Sequence, residues 1–155
     1  MRADGPPAPL ALAGALIGLF LGGALVGGAL AAAFAPGSWL AEVVGFFALP
    51  LAFAAGLQAW YGLALLSLIP RVLTRLRGRD RGGVPASFGG GLPGSSVFLP
   101  FGSVAGGVAG LLVGLLSVTH PVWLVALAYW AVGTAHGALA WRLARAGLLT
   151  PPESL

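Results

Sequence analysis

Four long apolar stretches constrain the fold of this chain more than any other feature. They run over residues 10–35, 46–69, 101–118 and 121–144. A helix needs about 20 predominantly apolar residues to cross the hydrocarbon core of a bilayer, which is about 30 Å thick. Because only 8% of the 155 residues are charged and 58% are hydrophobic, an ordinary water-soluble domain is excluded. The sequence therefore predicts an all-α integral membrane protein with four transmembrane helices.

The limits of the first two spans follow from length. The second apolar run already begins at Trp39, but a helix from there to residue 69 would be about 46 Å long and would need strong tilt. We therefore expect residues 39–45 to lie at the outer interface and the second span to begin at residue 46. The first stretch exceeds the roughly 7–15 apolar residues of a secretory signal, so we expect it to be a retained span.

The connections between the stretches predict how the spans pack. The third and fourth stretches are joined by the short sequence SVTHP, whereas a long basic loop rich in glycine and proline covers residues 70–100. Short connections make neighbouring helices antiparallel. We therefore predict a single domain over residues 1–155, built as two antiparallel hairpins in a four-helix bundle.

The arginines predict the orientation of this bundle. All of them fall at the termini or in the middle loop: Arg2, Arg71, Arg75, Arg77, Arg79, Arg81, Arg142 and Arg145. With four spans these segments share one side of the membrane, and the other two connections, APGSWLAE and SVTHP, contain no arginine. The positive-inside rule then predicts that both termini are cytoplasmic, and we expect a bacterial cytoplasmic membrane.

The same arginines indicate a partner. Clustered in short segments beside apolar spans, they favour contact with anionic lipid headgroups rather than nucleic acid. We interpret Arg71, Arg75, Arg77, Arg79, Arg81, Arg142 and Arg145 as topology anchors. The alternative is a specific docking site for a lipid or a protein.

Glycines at spacing four mark the first and third spans, in the pattern of a glycine zipper. The stripes are Gly14, Gly18 and Gly22 in the first span, with Gly23 and Gly27 as a second pair, and Gly102, Gly106, Gly110 and Gly114 in the third. Glycine at this spacing lines one helix face and lets another backbone approach closely. We predict that both stripes are packing faces, used either inside the bundle or toward a protein partner or a second copy.

Polar side chains mark the second and fourth spans instead. Gln58 and Tyr61 share one helix face, and Tyr129 and His136 share another. At about 1.5 Å per residue, both pairs lie about 10–20 Å inside the arginine boundary, so we expect them to meet. We interpret these four side chains as a cluster that hydrogen-bonds between the second and fourth helices. The alternative is a small polar cavity in which His136 titrates.

Little in the sequence indicates catalysis. There is no cysteine, and Glu42 and His120, the ionisable residues on the predicted outer side, are too few for a metal site. No carboxylate lies within a predicted span, which argues against a proton- or sodium-coupled transporter. We therefore expect no catalytic, cofactor-binding or metal-binding residues.

The function predicted from these features is that of an accessory, assembly or structural subunit of a membrane complex, which uses its glycine-rich helix faces for packing. The alternative is a small transporter or channel formed when several copies of the bundle associate.

Overall fold

The fold is described by a computed structural model that covers residues 9–76 and 93–149, without the side chains of residues 64–76 and 93–94. It contains four α-helices and a short 3₁₀ helix: α1 Pro9–Phe34, α2 Trp39–Leu76, the 3₁₀ helix Pro93–Val97, α3 Phe98–Leu116 and α4 Val122–Arg145. Those ranges contain no strand. All four α-helices are long and apolar enough to span a membrane, which supports an all-α integral membrane protein.

Helix α2 extends beyond the predicted second span at both ends. It begins at Trp39 rather than at residue 46, and its backbone continues to Leu76 rather than ending at residue 69. Ser38 explains the early start, because its Oγ accepts a hydrogen bond from the Ala41 N–H at 3.4 Å and its carbonyl accepts one from Glu42 at 3.1 Å. A serine before the first turn and an acidic residue within it both stabilise a helix N-terminus.

Two glycines with positive φ end α1 and α4. In the turn after α1, Gly37 has φ of 79° behind Pro36, and Ser38 N–H donates to the Ala35 carbonyl at 3.2 Å. Proline followed by a left-handed glycine is the sequence that a type II turn requires. After α4, Gly147 has φ of 77° in a turn whose geometry is that of a Schellman motif.

The core comprises two clusters of buried side chains. One gathers Leu19, Phe53, Trp60, Phe98, Ala140, Ala144 and Leu149, and the other gathers Ala31, Ala35, Ala41, Ala109, Val113, Val125 and Tyr129. Helix α3 packs chiefly against α4, α1 packs chiefly against α2, and α2 also contacts α3. By comparison, α1 and α4 have few contacts with each other, and a gap remains between them.

Most of the predicted arginine anchors lie outside this description. Arg2, Arg77, Arg79 and Arg81 fall outside the described residues, and Arg71 and Arg75 lie on the backbone of α2 without described side chains. Only Arg142 and Arg145 are described in full. Both are exposed in the last turn of α4.

Candidate helix-docking site

The glycine stripe of α3 is covered by α4. All four of its glycines are buried. A Cβ added at Gly110 would lie 2.6 Å from the Ala126 Cα, and one added at Gly114 would lie 3.1 Å from the Val122 Cα. At Gly102 and Gly106 the added atom would meet backbone carbonyl oxygens of α4. The two backbones are therefore in direct contact, and no side chain fits between them.

The glycine stripe of α1 has no such cover. A Cβ added at Gly14, Gly18 or Gly22 would meet nothing within 4 Å. Gly14 and Gly18 are exposed and Gly22 is half-buried. Within residues 9–76 and 93–149, therefore, no helix packs directly on this stripe, and its role as a packing face toward another molecule stays a prediction.

A three-helix junction, formed by Gly27 of α1, Gly45 of α2 and Tyr129 of α4, holds α1 in place. The Tyr129 hydroxyl donates a hydrogen bond to the Gly27 carbonyl at 2.8 Å, and the tyrosine is completely buried. A Cβ added at Gly45 would lie 2.6 Å from that carbonyl oxygen and 2.7 Å from the Tyr129 Oη. Sequence reasoning missed Gly45 because it belongs to no regular spacing; only its neighbours on two other helices reveal it.

The four polar residues predicted to meet are placed apart. The Tyr61 hydroxyl donates to the Leu149 carbonyl at 2.7 Å, Tyr129 bonds to Gly27, and Gln58 is exposed. The His136 ring lies edge-on to Phe53 with centroids 6.4 Å apart, and its Nε2 is buried without a hydrogen-bond partner in the described part of the chain. The structure thus brings tyrosines to backbone carbonyls and does not join the four side chains.

The gap between α1 and α4, which we call the α1–α4 cleft, has a cavity volume of about 430 Å³. Its lining comes from α1, from α4 and, through Leu49, from α2: Gly14, Ala15, Gly18, Leu19, Gly22, Val26, Leu49, Val132, Ala135, His136, Leu139 and Leu143. His136 is the one polar side chain in this lining. The uncovered glycine stripe therefore forms one wall of an apolar cleft.

The predicted outer side shows hydrogen bonding within its turn. The Ser117 hydroxyl donates to the Phe34 carbonyl at 2.7 Å, and His120 lies edge-on to Phe34 with ring centroids 5.2 Å apart. The His120 Nδ1 is 2.8 Å from the Thr119 hydroxyl, and Glu42 is exposed. Over the described ranges, no group of three or more potential metal ligands is found.

Comparison with protein-family models, with curated proteins and with solved structures finds no match for this chain. Its function must therefore be argued from the geometry of these helix faces.

Proposed function

We propose that this protein is a non-catalytic accessory, assembly or structural subunit of a membrane complex, and that it holds a partner transmembrane helix against the glycine face of α1. One observation carries the proposal: the stripe of Gly14, Gly18 and Gly22 meets nothing within 4 Å. Because lipid tails are as apolar as the helices, transmembrane helices associate mainly through close packing at small residues. A face that permits such packing and is unused within the chain is suited to a partner.

We further propose that the helices form two antiparallel hairpins with both termini in the cytoplasm of a bacterium. The order of contacts supports the hairpins, since Gly23 lies near Leu49 while Gly27 lies near Gly45. The distribution of arginine supports the orientation. A reporter that is active only in the cytoplasm should be active when fused after Leu155 and silent when inserted at Gly37; activity at Gly37 alone would contradict this orientation.

Cross-linking tests the partner directly, because the native chain contains no cysteine. We would compare Gly18→Cys with Ile17→Cys in native membranes, each labelled with a thiol-reactive benzophenone; on irradiation this group inserts into C–H bonds and so needs no amine, which matters because this chain has no lysine. Ile17 is also exposed, at 57%, but adjacent residues of a helix do not share a face. We expect a cross-linked product of one reproducible mass from Gly18→Cys and none from Ile17→Cys.

The mass of the product separates the candidate functions. A heteromeric product supports the accessory subunit. A product of twice the mass of the chain would transfer support to the homo-oligomeric transporter or channel. Equal cross-linking at both positions, or none at Gly18, would contradict docking on this face.

A further inference from the structure

Among the described residues, the α1–α4 cleft is closed at one end and open at the other. At the closed end the Tyr129 hydroxyl bonds to the Gly27 carbonyl, and the His136 ring lies 3.1 Å from the position of a Cβ on Gly23. Toward the start of α1 this contact stops, because a Cβ on Gly18 or Gly14 would meet nothing within 4 Å. The mouth of the cleft therefore lies where α1 begins and α4 ends.

The walls of the cleft suit a hydrocarbon chain. Apart from His136, every lining side chain is apolar or is glycine. The volume of about 430 Å³ lies within the range of roughly 300–1,000 Å³ that is common for small-ligand sites. Two of its lining side chains, Val26 and Leu139, are exposed at 46% and 50%, so the cleft is accessible from outside the described bundle.

Arg142 lies at the mouth of the cleft. It follows Leu139 by three residues and Ala135 by seven; both of these residues line the cleft, so the three lie on one side of α4. Arg145 is also exposed but lies on another side of α4, because its guanidinium is 5.2 Å from the centroid of the Trp141 ring and Trp141 does not line the cleft. Glu42, the only carboxylate within residues 9–76 and 93–149, lies in the first turn of α2, beyond the closed end of the cleft. No described carboxylate therefore neutralises the mouth.

We propose that the α1–α4 cleft binds one anionic phospholipid, with an acyl chain along the glycine wall of α1 and the headgroup phosphate at Arg142. Basic pockets between transmembrane helices bind anionic headgroups in this way. The lipid uses the same wall as the proposed partner helix, so the two compete. The lipid site concerns the isolated chain and does not depend on the proposed partner.

Lipid binding is measured on the full purified chain by native mass spectrometry and by thermal unfolding in detergent. Dioleoyl phosphatidylglycerol is compared with dioleoyl phosphatidylcholine, which has the same acyl chains and no net charge. We expect one phosphatidylglycerol molecule to be retained and to raise the Tm more than phosphatidylcholine does. Equal binding and equal Tm for the two lipids would overturn the proposal.

Charge variants test the headgroup contact. Arg142→Gln should weaken phosphatidylglycerol binding about fivefold, with phosphatidylcholine unaffected. The matched control, Arg145→Gln, removes the same charge from the same helix end, outside the cleft, and should retain the preference. An equal loss in the control would mean that general surface charge, and not this mouth, attracts the lipid.

Two bulky substitutions test the acyl-chain contact. Gly18→Leu fills the cleft from α1 and Ala135→Phe fills it from α4; each should reduce the retention of phosphatidylglycerol. Unchanged retention in both variants would place the lipid elsewhere and overturn the proposal. Detection of a second copy of the chain in place of the lipid would do the same. Because these measurements contain no partner protein, their failure would leave the cross-linking result at Gly18 unaffected.

Discussion

The Gly14, Gly18 and Gly22 stripe of α1 and the glycine stripe of α3 have the same spacing and opposite surroundings. In α3 the stripe that begins at Gly102 is in backbone contact with α4, whereas in α1 the stripe that begins at Gly14 meets nothing within 4 Å. The spacing of glycines in a sequence thus shows that another helix can approach that helix backbone closely. It does not show which helix approaches, or whether that helix belongs to the same chain.

The side chains that α4 presents to each stripe account for the difference. Helix α4 presents Gly133 and Gly137 to α3, and a Cβ on either would meet an α3 backbone carbonyl. Small residues on both sides let two helices interlock. Toward the stripe of α1, α4 instead presents larger side chains, Leu139 and Leu143, across the cleft. The covered stripe is therefore matched within the chain and the uncovered stripe is not.

The largest expected effect comes from adding bulk to the α3 stripe, with the same substitutions in the α1 stripe as the comparison. Gly106→Leu with Gly110→Leu should lower the free energy of unfolding by about 1–3 kcal/mol per site or more, because each side chain is forced into the α4 backbone. Gly14→Leu with Gly18→Leu should leave the stability of the single chain nearly unchanged. Unfolding in detergent, followed by circular dichroism, measures both. Equal losses would mean that the α1 stripe is covered after all and would end the comparison.

A smaller effect should separate two glycines of the same helix. Gly27→Ala places a methyl group against the Gly45 carbonyl, while Gly18→Ala places one in open space. We expect Gly27→Ala to reduce the unfolding free energy by about 1–3 kcal/mol, as overpacking does. Gly18→Ala should be neutral or slightly stabilising because alanine favours helix. If the two variants unfold alike in the same denaturant series, the three-helix junction does not fix α1.

The smallest effect concerns the hydrogen bond at that junction. Tyr129→Phe removes the donor to the Gly27 carbonyl and keeps the ring. We expect a loss of about 0.6 kcal/mol, the average for interhelical hydrogen bonds within a membrane. The experiment is a comparison of Tyr129→Phe with the unaltered chain in one denaturant series. A loss as large as that of Gly27→Ala would show that the hydroxyl, rather than close backbone approach, dominates the junction.

Hydropathy predicted the all-helical membrane fold and placed the limits of α1, α3 and α4 within a few residues. The predicted second span lies inside the longer helix α2, because a bilayer-length argument does not include the hydrogen bonds at Ser38 that begin the helix at Trp39. Counting residues from the arginines also placed Tyr61 and Tyr129 at similar depth. In the structure Tyr129 lies beside Gly45 near the start of α2, whereas Tyr61, much further along the same helix, bonds to Leu149, so the two tyrosines lie toward opposite ends of the bundle.

The bond from the Tyr61 hydroxyl to the Leu149 carbonyl joins residues 88 positions apart, and it has a consequence for biosynthesis. Leu149 is fully buried in the cluster that contains Phe53, Trp60 and Phe98. At a translation rate of about 5–20 residues per second, Tyr61 is made roughly 4–18 s before its acceptor. Until residue 149 emerges, this end of the bundle lacks both its last apolar side chain and the acceptor for the tyrosine. The buried cluster at this end of the bundle is therefore complete only after Leu149, one of the last described residues, has been synthesised.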